Sequence, residues 1–496
     1  MTMTVLSEEA TQFASREHRM LIGDERVAAV DGESLDVIDP ASGRVFATVP
    51  AGGANDIDGA VRAAREALPA WRELAPARRA ELMWNLGTRV AQLAEQFATI
   101  EAMDNGKTVA DALAVDVALC SEIFRYYAGW TTKLEGASIP AASGANMHVY
   151  TRREPVGVVG AIIPWNFPLL MCAYKLGPAL AAGNTVVLKP AEQTPLSALR
   201  LADLIQETGF PPGVVNVVTG IGETAGAALA SHRDVDKITF TGETSTGRKI
   251  LEASKSNLKR VSLELGGKSP SVIFADADLD AAVEGTYGAV FFNQGQCCVA
   301  GARVFVQEPV REAFLERLLD RVRATRLGSG LDPRTTMGPL VSQEQLERVT
   351  GMVSAGLADG AVDVAAGGRA TEPELADGYF VHPSVLTEVE PSMSVMREEI
   401  FGPVALVSGF ESEPQAIDAA NDTEFGLAAG VWTRDIARGH RVAAQLRAGT
   451  VWINTYGYFD VAIPYGGFKM SGYGKELGRE ALDPYLDTKT VWTDLS

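Results

Sequence analysis

From Val156 onward, short apolar and β-branched runs alternate with helical stretches, and no other feature of the chain narrows its possible folds so far. Strands are predicted over 157–163, 185–188, 214–218, 237–240 and 260–264, with helices over 169–182, 195–207 and 223–230 between them. Strand–helix–strand alternation of this kind means a parallel, doubly wound α/β sheet. Thr194-Pro195 reads as a helix start, a capping hydroxyl before a proline at the first helical position. A second α/β series begins near Ser271 and runs through 303–307, 404–410, 428–433 and 450–454. Ahead of both, 55–74 and 76–105 read as two long helices, the first N-capped by Asn55. Two runs, 148–153 and 489–493, stand apart and read as exposed strands. Long edge strands need covering, so they are candidates for pairing with another subunit.

A chain of 496 residues has room for about three domains. With 46% hydrophobic and 22% charged residues it has the composition of an ordinary soluble globular protein. Its net charge of −19 argues against nucleic acid or an anionic membrane as partner. Cys120, Cys172, Cys297 and Cys298 are too few and too irregular for a disulfide framework, which points to a reducing cytoplasm. Residues 1–20 contain Glu8, Glu9 and Glu17 and no apolar run, unlike a signal or transit sequence. No stretch approaches the ~18 apolar residues of a membrane span. His18, His148, His232, His382 and His440 lack ligand spacing, so no catalytic metal is expected.

Two central stretches carry chemistry. Leu263-Glu264-Leu265-Gly266-Gly267-Lys268 sets a carboxylate beside glycines, and Phe292-Asn293-Gln294-Gly295-Gln296-Cys297-Cys298 sets cysteines in a polar context. A thiolate that attacks a carbonyl carbon, and a carboxylate that later activates water, are what thiol-based acyl chemistry needs. A third stretch, Pro164-Trp165-Asn166-Phe167-Pro168, places a carboxamide just after a strand, where its N–H suits an oxyanion.

The same sheet suggests a cofactor. The strand ending at Leu188 runs into Lys189-Pro190-Ala191-Glu192, and ligands of open parallel sheets bind beyond the carboxyl ends of strands. Lys189 and Glu192 could hydrogen-bond ribose hydroxyls there. Phe240-Thr241-Gly242-Glu243-Thr244 is a strand end, a glycine and a helix start whose N–H groups suit a pyrophosphate. The usual G-x-G-x-x-G is absent: Gly220-Ile221-Gly222 has Ala225 where a third glycine should fall. Gly267-Lys268-Ser269 mimics the end of a P-loop, but Ser262 stands where that motif needs glycine.

With these motifs the sequence resembles the aldehyde dehydrogenase superfamily over nearly its whole length, most closely the broad-specificity, hydrolytic, NAD(P)-dependent type. The resemblance implies a Rossmann-like NAD-binding domain (1–135 and 155–265), a second doubly wound catalytic domain (266–475) and a small β oligomerisation element (136–154 and 476–496). It makes Cys298 the nucleophile, Glu264 the base and Asn166 the oxyanion donor. It assigns the dinucleotide to Ile163, Pro164, Trp165, Lys189, Glu192, Gly222, Gly242, Leu265, Glu399 and Phe401. NAD is favoured over NADP, because Glu192 would repel a 2′-phosphate. Glu243 departs from the serine of many relatives, and its side chain is expected to turn away from the pyrophosphate. Lys175 and Glu476 match positions linked to proton relay.

Adjacent side chains of an extended segment alternate sides, so Cys297 is expected to be a packing thiol, as are Cys120 and Cys172. By position in the motifs, Phe167, Tyr174, Phe292, Phe459 and Tyr465 line a substrate tunnel with Leu119 nearby. Tyr174 and Tyr465 replace the Trp and Phe of common relatives. Aromatic walls favour a medium-sized apolar aliphatic or aromatic aldehyde. A betaine-aldehyde-type or semialdehyde substrate is the alternative, since such walls can also cage a cation. Enzymes that acylate coenzyme A usually lack the base that Glu264 provides. A non-catalytic lens-type relative would not need the Asn166, Glu264 and Cys298 set. A redox protein would space its cysteines C-x-x-C. The expected assembly is a homodimer or homotetramer.

Overall fold

The computed structural model describes residues 7–142 and 146–496. Residues 1–6, at the start of the expected cofactor-binding span and of the 1–20 stretch, and 143–145, in the expected β element, lie outside them.

The first alternation forms the centre of an eight-stranded sheet. Its five parallel strands lie in the order Val215–Val217, Thr185–Lys189, Val158–Ile162, Lys237–Thr241 and Arg260–Glu264. Sequence order therefore runs outward one way from Val158–Ile162 and then reverses at Lys237–Thr241. Loops on either side of such a reversal diverge and leave a crevice at the carboxyl ends of the strands. Val158–Ile162 and Thr185–Lys189 are buried along their whole length, as apolar strands covered by helices on both faces must be. Antiparallel strands finish the edges. Met20–Ile22 joins one side, and Gly472–Tyr473, from the span expected to be catalytic, pairs with Arg260–Glu264 on the other.

The second series forms a seven-stranded sheet. Its parallel strands run in the order Ser384–Thr387, Val404–Phe410, Arg303–Gln307, Pro270–Ile273, Ala428–Trp432 and Thr450–Ile453. The two runs read as exposed strands pair with each other. Met147–Pro155 and Leu486–Asp494 form an antiparallel ladder from Pro155↔Leu486 to Met147↔Asp494, with Ser138–Ile139 on the far side.

Several local expectations are corrected. The first long helix is Ala54–Glu73, and its cap is Gly53, not Asn55. The Asp56 carboxylate turns back to accept the Gly53 N–H at 2.9 Å. The stretch 76–105 is two helices, Pro76–Gln92 and Ala94–Asp104, because Leu93 leaves helical geometry (φ −103°, ψ 26°). The break lets the second piece bury Phe97, Ile100, Glu101 and Asp104. The helix after Pro195 spans Leu196–Thr208 and is not capped by Thr194. That hydroxyl donates to the Trp165 carbonyl at 3.4 Å, and the Leu196 N–H is accepted instead by Asp104 Oδ2 at 3.1 Å. The helix expected over 223–230 is a π turn, Gly222–Gly226, followed by Ala227–Ser231.

Candidate active site

The strand Val158–Ile162 delivers Asn166 into a turn closed by the helix Pro168–Ala181. Asn166 is buried and donates through Nδ2 to the Gln296 carbonyl at 3.1 Å. Asn293 Nδ2 donates to the carbonyls of Asn166 (2.9 Å) and Gln296 (3.2 Å). These bonds fix the carboxamide of Asn166 against the cysteine loop.

The cysteine loop is not extended. Asn293 and Gln294 adopt left-handed backbone (φ 49° and 57°), and the Ala300 N–H closes a turn onto the Cys297 carbonyl at 2.9 Å. Both thiols are half-buried and pack against the same hydrophobic cluster. The extended backbone expected for this segment is corrected: it is a turn, in which neighbouring side chains need not alternate sides. The hydrogen bond with Cys297, together with burial, holds Cys298 well above the ordinary thiol value. Cys297 is lowered by the hydrogen bond from Cys298, against burial, and by that of the Val299 N–H. Cys298 Sγ lies 3.1 Å from Tyr465 Oη.

Glu264 closes the strand Arg260–Glu264 and is buried, and neither carboxylate oxygen has a hydrogen-bond partner among the described residues. Burial, and then the charge of Glu476, push it well above the ordinary carboxylate range, while Lys175 opposes them. Lys175 and Glu476 form a buried ion pair. Gly466, next to Tyr465, sits so close that a Cβ there would stand 2.6 Å from Glu264 Oε1.

The crevice at the strand reversal gathers most of the expected cofactor residues. Lys189 Nζ bonds Glu192 Oε2 at 2.9 Å, and the Gly222 N–H points at Glu192 Oε1 at 3.4 Å. Ile163 N–H binds the Lys189 carbonyl at 3.1 Å. Gly242 N–H binds the Glu264 carbonyl at 3.0 Å, just ahead of the helix Thr244–Ser254, and Leu265 packs under that helix at Gly247. Half-buried Trp165, beside half-buried Pro164, meets Phe401 edge to face at 5.2 Å. Glu399 Oε1 accepts the Gly267 N–H at 2.8 Å, and burial pushes its carboxyl up to about 7.

All five expected tunnel aromatics and Leu119 border one hydrophobic cluster with the two cysteines. Phe167 stacks on Phe292 (6.0 Å between centroids, 22°), and Phe459 meets Tyr465 edge-on at 5.5 Å. Tyr174 is buried against Cys298.

Comparison with known proteins decides the family. The profile described as "Aldehyde dehydrogenase family" matches residues 27–491. The chain belongs to the aldehyde dehydrogenase family. It is 46% identical to human aldehyde dehydrogenase 1A1 over 96% of this chain and 95% of that one. It is equally similar, at 46%, to rat mitochondrial aldehyde dehydrogenase, over 96% of this chain and 91% of that one. Among solved structures, the NAD+ complex of aldehyde dehydrogenase from Bacillus cereus superposes with a TM-score of 0.96, at 48% identity and 99% coverage of both chains.

Several features of this aldehyde dehydrogenase escape a reading of its motifs. The glycine pair after Glu264 is one: a Cβ at Gly266 would collide with the Glu399 carboxylate, so residue 266 must be bare for residue 399 to reach the Gly267 N–H. Lys107 is another. Its ammonium is buried, bonds both Asp116 oxygens at 2.9 Å, approaches Glu101 at 3.4 Å and covers one face of the Phe167 ring at 4.4 Å. Nothing in the local sequence links residue 107 to residue 167. Glu243 is exposed, one residue ahead of the helix Thr244–Ser254. Among the described residues, no cluster of three or more His, Cys, Asp or Glu could hold a metal, and no helix is long and apolar enough to cross a membrane.

Proposed function

We propose that this aldehyde dehydrogenase oxidises an aldehyde to its carboxylic acid with NAD, by covalent chemistry on Cys298. One set of contacts carries the reading: Asn166 bonds the Gln296 carbonyl in the cysteine loop, and Tyr465, which bonds Cys298, is followed by Gly466 packed against Glu264. Cys298 Sγ attacks the aldehyde carbon, and Asn166 Nδ2 with the Cys298 backbone N–H holds the oxygen that becomes negative. The dinucleotide supplies the hydride acceptor. Lys189 and Glu192 offer a donor and an acceptor to one ribose, Glu399 an acceptor to the other, and the start of Thr244–Ser254 free N–H groups to the phosphates. That donor set fits NAD. A carboxylate at Glu192 fits NADP less well.

Hydride loss leaves a thioester on Cys298. Glu264, with both oxygens unpartnered, takes a proton from water, and the resulting hydroxide releases the acid. Burial holds its pKa above the ordinary carboxylate range, so the ionised form is a stronger base than a free carboxylate. Lys175 and Glu476 stand beside it to pass the proton on. Because Glu264 is present, hydrolysis is favoured over transfer to coenzyme A.

The substrate is a medium-sized apolar aliphatic or aromatic aldehyde. The stacked and edge-on aromatics beside Cys298 support this reading. So does Lys107, which already covers one face of Phe167 and leaves that face unavailable to a cationic substrate.

The two sheets support the cofactor-binding (1–135 and 155–265) and catalytic (266–475) spans, with Gly472–Tyr473 crossing to the first sheet. The three-stranded sheet supports an assembly role for 136–154 and 476–496. Leu486–Asp494 is its outer strand and exposes Trp492, an edge suited to pairing in a homodimer or homotetramer. Four free cysteines, one of them the working nucleophile, suit a reducing compartment such as the cytoplasm.

The mechanism is tested by replacing each thiol. Cys298→Ala is expected to lose turnover while still binding NAD, and Cys297→Ala to turn over. A dead 297 variant beside a working 298 variant would assign the nucleophile to Cys297.

A further inference from the structure

Two adjacent half-buried thiols in one turn share a difficulty. When the pair loses one proton, the charge can rest on either sulfur, and only one position is productive. Cys297 has the advantage of the Val299 N–H and of Lys107, whose ammonium acts on it. What favours Cys298 is a hydroxyl that the chain supplies from far away in sequence.

Tyr465 Oη lies 3.1 Å from Cys298 Sγ. The ring is held edge-on by Phe459, and its backbone is held by a reciprocal pair of 2.7 Å bonds with Glu476. Tyr465 is buried, and burial, then the nearby Cys298, keep its phenol protonated far beyond the usual range. The phenol is thus fixed as a donor, and a phenolic O–H is a stronger donor than a thiol.

We propose that Tyr465 is a catalytic hydrogen-bond donor to Cys298 Sγ, placing the charge of the thiol pair on Cys298 and stabilising it there again when the thioester breaks. The inference rests on Cys298 being the nucleophile. Once the pair has lost one proton to solvent, the proton that remains rests on Cys297, and the electron pair left on Cys298 Sγ accepts the Tyr465 O–H. During hydrolysis water adds to the thioester carbon, its proton going to Glu264. The C–S bond then breaks with its electron pair on Sγ, and Tyr465 stabilises that sulfur without giving up its own proton. The other titratable groups acting on or near the pair are Tyr174, Tyr456, Glu264, Glu399 and Lys107. Among the described residues none of these bonds Cys298 Sγ; Tyr465 does.

The test is Tyr465→Phe in the full chain, which keeps the ring and removes only the hydroxyl. Native-like NAD binding and circular dichroism establish that the variant is folded. Iodoacetamide labelling across a pH series, with the labelled sulfur located by tandem mass spectrometry, reads both thiols directly. A hydrogen bond to a charged sulfur predicts that the midpoint for Cys298 rises by about one pH unit and that labelling shifts toward Cys297 by roughly tenfold. In a Cys297→Ala background the midpoint shift is expected to persist, because the lost donor acts on Cys298 itself. Stopped-flow NADH traces should show deacylation slowed more than the first hydride transfer. Unchanged midpoints and unchanged partition between the thiols overturn the proposal. Retained turnover in Cys298→Ala would instead overturn the mechanism beneath it, while leaving the labelling result readable on its own.

Discussion

The Lys175 ammonium and the Glu476 carboxylate pair inside the protein, with side-chain exposures of 0% and 4%, across 301 residues of sequence. Both act on Glu264, in opposite senses: Glu476 raises its pKa and Lys175 lowers it. The signs separate two variants. Lys175→Met removes the lowering charge and should move the ascending limb of the pH–rate profile to higher pH. Glu476→Gln removes the raising charge and should move it to lower pH. Lys175→Met also strands a buried carboxylate and should cost about 3–5 kcal/mol in urea unfolding. Shifts in the same direction for both variants would disconnect the pair from Glu264.

Glu264→Gln keeps the shape of the side chain and loses the base. It should release one equivalent of NADH per active site and then stall as an acyl-enzyme, detectable by mass spectrometry of the quenched protein. In the parent, the limb governed by Glu264 should lie above the ordinary carboxylate range. A raised acid stays protonated, and therefore inactive as a base, to higher pH. Normal steady-state turnover without an adduct in Glu264→Gln would remove it from the mechanism.

Cofactor choice is expected to turn on Glu192, held by Lys189 with one oxygen toward the Gly222 N–H. A ribose 2′-hydroxyl can donate to that carboxylate, whereas a 2′-phosphate is repelled. The ratio of kcat/KM for NAD over NADP should exceed one and fall on Glu192→Gln. Preference for NADP in the parent refutes this.

Hexanal or benzaldehyde should be oxidised with higher kcat/KM than betaine aldehyde or succinate semialdehyde. Burial of an apolar body against Phe167, Phe292 and Phe459 is worth ~25 cal/mol per Å², and these rings offer a carboxylate nothing. A clear win for either charged compound would overturn the substrate class and leave the family unchanged.

The parallel strands were legible because fully buried β-branched runs leave little freedom: Arg260–Glu264 and Arg303–Gln307 begin and end where the pattern does. Motif residues were legible for the same local reason. Interactions made by distant residues were not. Asp104 caps the helix that Thr194 seemed placed to cap, and Lys107 lies under Phe167, and neither contact leaves a trace in its neighbourhood. The backbone of the cysteine segment was not legible for a different reason: the left-handed Asn293 and Gln294 turn it into a loop.

The late strand Gly472–Tyr473, which borders Arg260–Glu264, has a consequence for synthesis. Every residue of the crevice up to Phe401 leaves the ribosome before this strand does, as do Asn166, Glu264 and Cys298. Until residues 465–476 follow, Lys175 lacks its counter-ion, Cys298 lacks its hydroxyl and the first sheet has an open edge beside the base. A nascent chain halted in between carries Cys298 without these surroundings, and the unpaired edge is what a chaperone would have to shield.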